Sequence, residues 1–141
     1  MNVKEVYELD QSTKLELPFL SSSVPAGYPS VAEDYVDQRL DLNDLVRHPS
    51  DTFVVKVEGD SMINAGIHDN DLLLVDRASE PMNNDVVVAY VNVELTVKKL
   101  KIMKNKVFLY PENSNYEPIE ITPSMSFEIR GVVTFVIHKP S

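Results

Sequence analysis

Thr52-Phe-Val-Val-Lys-Val57 is the first of several short runs, rich in β-branched and aromatic residues, that decide the fold of this chain. The runs that follow it are Leu72-Leu-Leu-Val75, Val86-Val-Val-Ala-Tyr-Val91, Leu95-Thr-Val-Lys-Lys-Leu100, Val107-Phe-Leu-Tyr110, Ile119-Glu-Ile121 and Phe127-Glu-Ile-Arg-Gly-Val-Val-Thr-Phe-Val-Ile137. Asp, Asn, Gly or Pro residues bound these runs, as is typical of strands joined by turns. About seven short strands at this spacing predict one compact, mainly β domain with barrel-like or sandwich packing.

The segment before these strands has a different composition. Ser21-Ser-Ser-Val-Pro-Ala-Gly-Tyr-Pro-Ser30 combines serines, prolines and a glycine, which predicts an exposed, extended linker. Ser30 and Glu33 have the spacing of a capping box, and the apolar residues after them recur at helical spacing. We therefore expect a flexible N-terminal arm, one short helix over about 31–40, and a further turn at 42–46.

Size and composition exclude several classes of protein. The chain has 141 residues, of which 43% are hydrophobic and 25% charged, and this is the mix of a single soluble domain. No apolar run is long enough to cross a bilayer, and the N-terminus lacks the features of a signal peptide, so we expect a cytoplasmic protein. The absence of cysteine excludes disulfides, thiolate metal sites and a cysteine nucleophile. His48, His68 and His138 show no metal-ligand spacing, so a histidine-centred site exists only if the fold assembles one. No cofactor or metal is expected.

The charge of the chain argues against direct binding to duplex DNA. The formal net charge is −9 and the isoelectric point is about 4.7, whereas duplex-binding proteins cluster lysine and arginine against phosphates. The one basic cluster runs from Lys98 to Lys106 and is interpreted as a strand and hairpin with mostly solvated lysines. A protein partner that is itself associated with DNA stays possible.

Two segments have the residues for peptide-bond chemistry. In Gly59-Asp-Ser-Met62, the glycine permits a sharp turn that presents Ser61 at a strand end, although such a turn is common without any function. In Glu94-Leu-Thr-Val-Lys-Lys99, a lysine buried among apolar residues would have a lowered pKa and could act as a base. Strand alternation places Thr96 and Lys98 on one face of the strand and Lys99 on the other. It therefore permits either lysine as the base, and both lysines could also be ordinary surface residues.

The order and spacing of these segments resemble the peptidase domain shared by the LexA repressor and UmuD. The resembling segments are Gly59-Asp-Ser-Met62, Asp69-Asn-Asp-Leu-Leu-Leu-Val-Asp76, Asp85-Val-Val-Val-Ala89, Glu94-Leu-Thr-Val-Lys-Lys-Leu100 and Gly131-Val-Val133. The resemblance implies that Ser61 is the nucleophile and Lys98, not Lys99, is the general base. It also implies that Thr96 supports the lysine and that backbone N–H groups in the Asp60-Ser61-Met62 turn stabilise the oxyanion. The implied fold is the compact β domain of LexA and the signal peptidases.

The same family cuts its own chain between a small residue and a glycine, and this chain has Ala26-Gly27 in its linker. The resemblance therefore implies an arm, residues 1–26, that is removed by self-cleavage from a peptidase domain, residues 27–141. An arm of this length is too short for a DNA-binding domain, so we expect the UmuD type and not the repressor type.

For a UmuD-type protein, the resemblance implies a homodimer in the SOS response to DNA damage. It implies that RecA filaments on single-stranded DNA stimulate cleavage, and that the trimmed product joins a UmuC-type polymerase in error-prone lesion bypass. One alternative is a non-cleaving or inhibitory partner of a polymerase or repressor with the same fold. Another is a peptidase acting on other proteins, as the signal peptidases do, although those need a membrane anchor.

Overall fold

The computed structural model describes residues 1–12, 16–20 and 36–140. The chain divides into two units, one made of Met1–Leu9 with Ser50–Ser141 and the other of Asp10–Pro49. No helix among the described residues is both long and apolar enough to cross a membrane.

The first unit is built around one large antiparallel sheet. Its strands are β1 (Asn2–Glu8), β4 (Thr52–Glu58), β5 (Leu72–Asp76), β6 (Val86–Val91), β7 (Glu94–Met103), β8 (Lys106–Tyr110), β9 (Ile119–Glu120) and β10 (Phe127–Ile137). They are ordered β1-β4-β5-β10-β6-β7-β8-β9, and a further pairing of Asn2 with Thr96 joins β1 to β7. That pairing closes six of the strands into a ring. The predicted mainly β domain with barrel-like packing is confirmed.

Two apolar clusters fill this unit. The larger one includes Val55, Val57, Met62, Leu73, Val75 and Val97, all completely buried. The smaller one is formed by Val87, Leu100, Leu109 and Val132, with partly buried apolar residues packed against it. Because β4 and β7 both contribute to the larger cluster, it fixes the ends of these two strands relative to each other. This matters for function, since the candidate site lies at those ends.

The strand β10 changes partners halfway along its length. Its first half pairs with β6 and its second half with β5, with register shifts on both sides of Gly131. At Gly131 a Cβ atom would lie 2.7 Å from Val75 Cγ1 and 2.9 Å from the carbonyl oxygen of Asp76. The glycine therefore allows a close approach of β10 to β5 that no other residue permits.

Replacing Gly131 with alanine is expected to destabilise the fold by about 1–3 kcal/mol, because the added methyl group is forced into packed backbone. Equilibrium unfolding in urea would measure the free energy of unfolding. Glu128→Ala, at an exposed position of the same strand, is the control and should change it by less than about 0.5 kcal/mol. Equal stability of the two variants would contradict the close approach at Gly131.

The second unit contains a short hairpin. Its strands β2 (Glu16–Leu20) and β3 (Val36–Asp41) pair antiparallel, and a 3₁₀ helix, Leu42–Leu45, follows directly. Asp41 caps this helix by accepting a hydrogen bond from the Asn43 N–H at 3.0 Å. The turn predicted at 42–46 is confirmed, whereas the helix predicted over 31–40 is wrong for residues 36–40. The Ser30–Glu33 capping box lies outside the described residues.

The N-terminal arm also differs from its expected form. Residues 2–8 are not a flexible arm but form β1, which pairs with β4 along almost its whole length. Asn2 pairs with Glu58 at one end, and Glu8 pairs with Phe53 at the other. Pairing with β4 therefore supplies the backbone hydrogen bonds of this segment, for which the sequence analysis predicted no strand. The division of the chain at Ala26–Gly27 falls outside the described residues and stays a prediction.

Candidate active site

Ser61 lies in the turn that follows β4. Gly59 adopts a φ of 100°, a conformation that favours glycine, and its N–H donates to Asp69 Oδ1 at 2.9 Å. The next residues turn inward, so that Ser61 is 1% exposed and Met62 is completely buried in the larger core cluster. Met62 therefore anchors the turn by packing, and this fixes where the Ser61 hydroxyl points.

Lys98 reaches the same place from β7. Its side chain is buried, and Nζ lies 2.9 Å from Ser61 Oγ, within hydrogen-bonding distance. Lys99 belongs to the opposite face and forms an ion pair with Glu112 at 2.9 Å. The structure thus brings together Ser61 and Lys98, and it directs Lys99 elsewhere. Strand alternation alone left this choice open.

Burial changes the protonation of Lys98. Desolvation lowers the pKa of its ammonium group below the ordinary lysine value, and a hydrogen bond with the α-amino group of Met1 partly opposes this by raising it. A lowered pKa makes the neutral amine more accessible near physiological pH. Only the neutral amine can take a proton from a hydroxyl group, so this environment favours a base.

The backbone of Met1 occupies the space beside this pair. Its α-amino group donates a hydrogen bond to Ser61 Oγ, and its carbonyl oxygen accepts from Thr96 Oγ1 at 2.8 Å and from the Val97 N–H at 2.9 Å. Burial and the neighbouring Lys98 lower the pKa of the α-amino group to about 5. The single hydroxyl hydrogen of Thr96 is directed at the Met1 carbonyl oxygen. The supporting role for Lys98 that the family resemblance implies stays a prediction.

A loop after β8 holds the backbone around Ser61 in place. The Glu112 N–H donates to the carbonyl oxygen of Ser61 at 2.8 Å, and Asn113 Nδ2 donates to that of Asp60 at 3.0 Å. The Tyr116 hydroxyl donates to Asp60 Oδ1 at 2.5 Å, and this bond raises the pKa of Tyr116. The first two bonds fix the peptide groups on both sides of the serine, and the third holds the Asp60 side chain. We call residues 112–116 the clamp loop.

A cleft of about 540 Å³ opens next to Lys98. Its walls combine apolar side chains with the polar residues Thr96, Glu94 and Glu117, and Met1 lies in it. The predicted cleavage site, Ala26 and Gly27, lies outside the described residues.

Sequence reasoning missed several residues near this site. Met1 and the clamp loop are far from Ser61 in the sequence, and neither carries a motif.

The fold also brings together two of the three histidines, His68 and His138, with 4.6 Å between their ring centroids. The two histidines are seventy positions apart in the sequence, which is not a metal-ligand spacing, so only the pairing of β5 with β10 reveals this proximity.

The fold and the site together define a class of protein. A buried serine in hydrogen-bonding distance of a buried, desolvated lysine is the arrangement of serine peptidases that use lysine as base. In agreement, a family profile described as Peptidase S24-like matches residues 18–134. The chain belongs to this family of serine peptidases.

Individual relatives support the same assignment. Protein SamA of Salmonella typhimurium is 42% identical over 123 residues, covering 86% of this chain and 85% of SamA. Protein ImpA of Escherichia coli is 40% identical over 123 residues, covering 86% and 83%. The LexA repressor of Shewanella pealeana is 38% identical over 137 residues, covering 96% of this chain and 66% of the repressor. The resemblance to the LexA and UmuD family is confirmed.

Proposed function

We propose that this chain is a self-cleaving serine peptidase that cuts its own backbone between Ala26 and Gly27. Ser61 is the nucleophile and Lys98 the general base. The observation that carries the proposal is the 2.9 Å contact between Lys98 Nζ and Ser61 Oγ, in surroundings that lower the pKa of the lysine. Membership of the Peptidase S24-like family supports it.

The proposed reaction has two stages. Neutral Lys98 takes the proton of the Ser61 hydroxyl, and the oxygen attacks the carbonyl carbon of Ala26. Backbone N–H groups of the Asp60-Ser61-Met62 turn stabilise the oxyanion, and the lysine ammonium then protonates the leaving amine of Gly27. A water molecule, deprotonated by Lys98, hydrolyses the acyl-enzyme. Because the substrate is tethered to the site, its effective concentration is high.

The position of Met1 implies a rearrangement before the attack. Its α-amino group is hydrogen-bonded to Ser61 Oγ, which needs open space to approach a carbonyl carbon. Met1 must therefore move away from Ser61 before the Ala26 carbonyl binds there. On this view the described arrangement is a resting state, and the clamp loop keeps the turn shaped for catalysis.

We further propose a role of the UmuD type in the cytoplasm. The trimmed product, residues 27–141, would act as a homodimer with a UmuC-type polymerase in error-prone lesion bypass, and RecA filaments on single-stranded DNA would stimulate the cut. The similarity to Protein SamA and Protein ImpA, at 42% and 40% identity over 86% of this chain, supports this role.

The decisive experiment is to incubate the purified protein with and without RecA filaments and follow its mass. A 115-residue product starting at Gly27 is expected, with faster formation when filaments are present. Products starting elsewhere would contradict the cleavage site. Persistent absence of any product, with filaments present and at alkaline pH, would favour a non-cleaving interaction partner.

Tyr116 is proposed to act as a positioning residue through Asp60. Tyr116→Phe removes the hydroxyl that donates to Asp60 Oδ1 and is expected to slow self-cleavage by about three- to tenfold. The dependence of the rate on pH should keep its shape, since Lys98 is untouched. Tyr110→Phe, on the neighbouring strand β8, is the matched control and should cleave at the wild-type rate. An unaltered rate in Tyr116→Phe would exclude this role.

A further inference from the structure

A second cluster of polar side chains lies where β5 begins and β10 ends. Ile137, the last residue of β10, pairs with Leu72, the first residue of β5. Because the two strands run antiparallel, the residue after β10, His138, lies opposite the residue before β5, Asp71. The loop leading to β5 adds His68, whose ring lies 4.6 Å from that of His138. Pairing of the two strands thus assembles two imidazoles and one carboxylate.

The distances in this cluster are close to those of a metal site. His138 Nδ1 lies 2.6 Å from Asp71 Oδ1, His68 Nδ1 lies 3.7 Å from Asp71 Oδ2, and one ligand atom from each residue lies within 4.8 Å of the others. Tetrahedral zinc with bonds of about 2.0–2.2 Å places its ligand atoms roughly 3.3–3.5 Å apart. Side-chain rotations of modest size would therefore suffice to reach that geometry.

One atom of the cluster lacks a partner. Among the described residues, His68 Nδ1 is the single buried side-chain nitrogen or oxygen without a hydrogen bond. Asp71 is 2% exposed, and its carboxylate accepts from the His68 N–H at 2.7 Å as well as contacting His138. Buried polar atoms in native proteins are nearly always satisfied, and a bound ion is one of the partners that satisfy an atom of this kind.

We propose that His68, Asp71 and His138 form a three-ligand binding site for a divalent transition-metal ion of the zinc type. Two imidazole nitrogens and one carboxylate oxygen suit zinc and cobalt, whereas calcium and magnesium require oxygen ligands. The half-exposed histidines, each 45% accessible, give the ion a route to the site and leave a fourth position for water. This proposal is independent of the peptidase activity.

The site is connected to the Ser61 turn through the backbone. Asp71 O accepts from the Val57 N–H at 3.1 Å, Asn70 N–H donates to Val57 O at 2.8 Å, and Asp69 Oδ1 accepts from the Gly59 N–H. A bound ion would therefore hold the end of β10 against the segment that presents the serine. The expected consequence is a higher unfolding temperature, because an ion that binds only the folded chain stabilises it.

The test uses the full chain freed of metal with a chelator and titrated with zinc chloride in a calorimeter. One zinc ion per chain is expected to bind, with a rise in unfolding temperature. Cobalt(II) at the same site should give the visible absorption of a four-coordinate ion. His68→Ala and His138→Ala should each weaken zinc binding at least tenfold and abolish the rise in unfolding temperature.

His48→Ala is the matched control, since His48 is the one remaining histidine of the chain and belongs to the other unit. It should bind zinc as the wild type does. The proposal fails if the wild type binds no zinc, or if His138→Ala binds it with unchanged affinity. It also fails if His48→Ala no longer binds zinc. Because both ligand histidines are half-exposed, their alanine variants should fold, and circular dichroism of the metal-free proteins would check this.

Discussion

Lys98→Met is expected to reduce the rate of self-cleavage by at least about a thousandfold, because it removes the proposed base while keeping a side chain of similar length. Without that base, Ser61 keeps its proton at neutral pH and is a poor nucleophile. The rate would be measured from the loss of intact mass over time. The adjacent Lys99→Met is the matched control, since Lys99 pairs with Glu112 on the other face of β7, and it should cleave at nearly the wild-type rate.

Ser61→Ala should be as inactive as Lys98→Met, and the double variant no worse than either, because the two residues act as one unit. Thermal unfolding would separate a chemical loss from a folding defect. Because the pKa of Lys98 is lower in the folded than in the unfolded chain, its charged form opposes folding. Lys98→Met should therefore unfold at a temperature no lower than wild type at neutral pH. Cleavage surviving in either single variant would exclude the pair.

The rate of self-cleavage is expected to rise about tenfold per pH unit on the acidic side of the Lys98 pKa and to become constant above it. The reason is that only the neutral lysine accepts the serine proton, and its fraction grows tenfold per unit there. Since burial lowers that pKa below the ordinary value of 10.5, the plateau should begin below pH 10.5. First-order rates of intact-mass loss between about pH 6 and about pH 10 would define the curve.

The same pKa shift predicts how stability depends on pH. The folded chain gains stability as pH rises through the folded pKa of Lys98 towards 10.5, because the unfolded chain binds the proton more strongly in that window. In Lys98→Met this contribution should disappear, which provides the control.

A cleavage rate that stays flat from neutral pH to about pH 10 would contradict Lys98 as the base.

The strands after residue 52 could be predicted because each one is a short run of β-branched residues bounded by turn residues. Val86–Val91 and Phe127–Ile137 were predicted with the bounds that β6 and β10 have, and β7 was predicted to within a few residues. The turn at Asn92-Val93 joins β6 to β7, with Asn92 in a left-handed conformation that asparagine tolerates. In these segments local propensity and tertiary pairing agree.

The helix predicted over 31–40 was wrong for residues 36–40, because the spacing of their apolar residues fits a strand as well as a helix. Val36 and Leu40 are four residues apart, which places them on one face of a helix but equally on one face of a strand. Pairing with residues 16–20 decides in favour of the strand, and this partner is distant in sequence. The strand β1 was missed for the same reason, since its partner β4 begins at Thr52.

The site was predictable only in part. Residue chemistry indicated Ser61 and a lysine of β7, and the family resemblance selected Lys98. The burial that distinguishes Lys98 from Lys99 depends on which face of β7 meets the core, and a strand with apolar residues on both faces does not reveal this. Met1, the clamp loop and the neighbouring histidines depend on contacts across the whole sheet, which no local pattern encodes.

The position of β1 separates cutting from release. If the chain is cut after Ala26, the fragment 1–26 loses its covalent link but still carries a seven-residue strand paired with β4. The fragment would therefore stay bound until its backbone hydrogen bonds open, and the delay would set how long Met1 keeps covering Ser61. Its departure would bare one edge of β4, and an unpaired edge of this kind is a template on which a strand of another protein can dock.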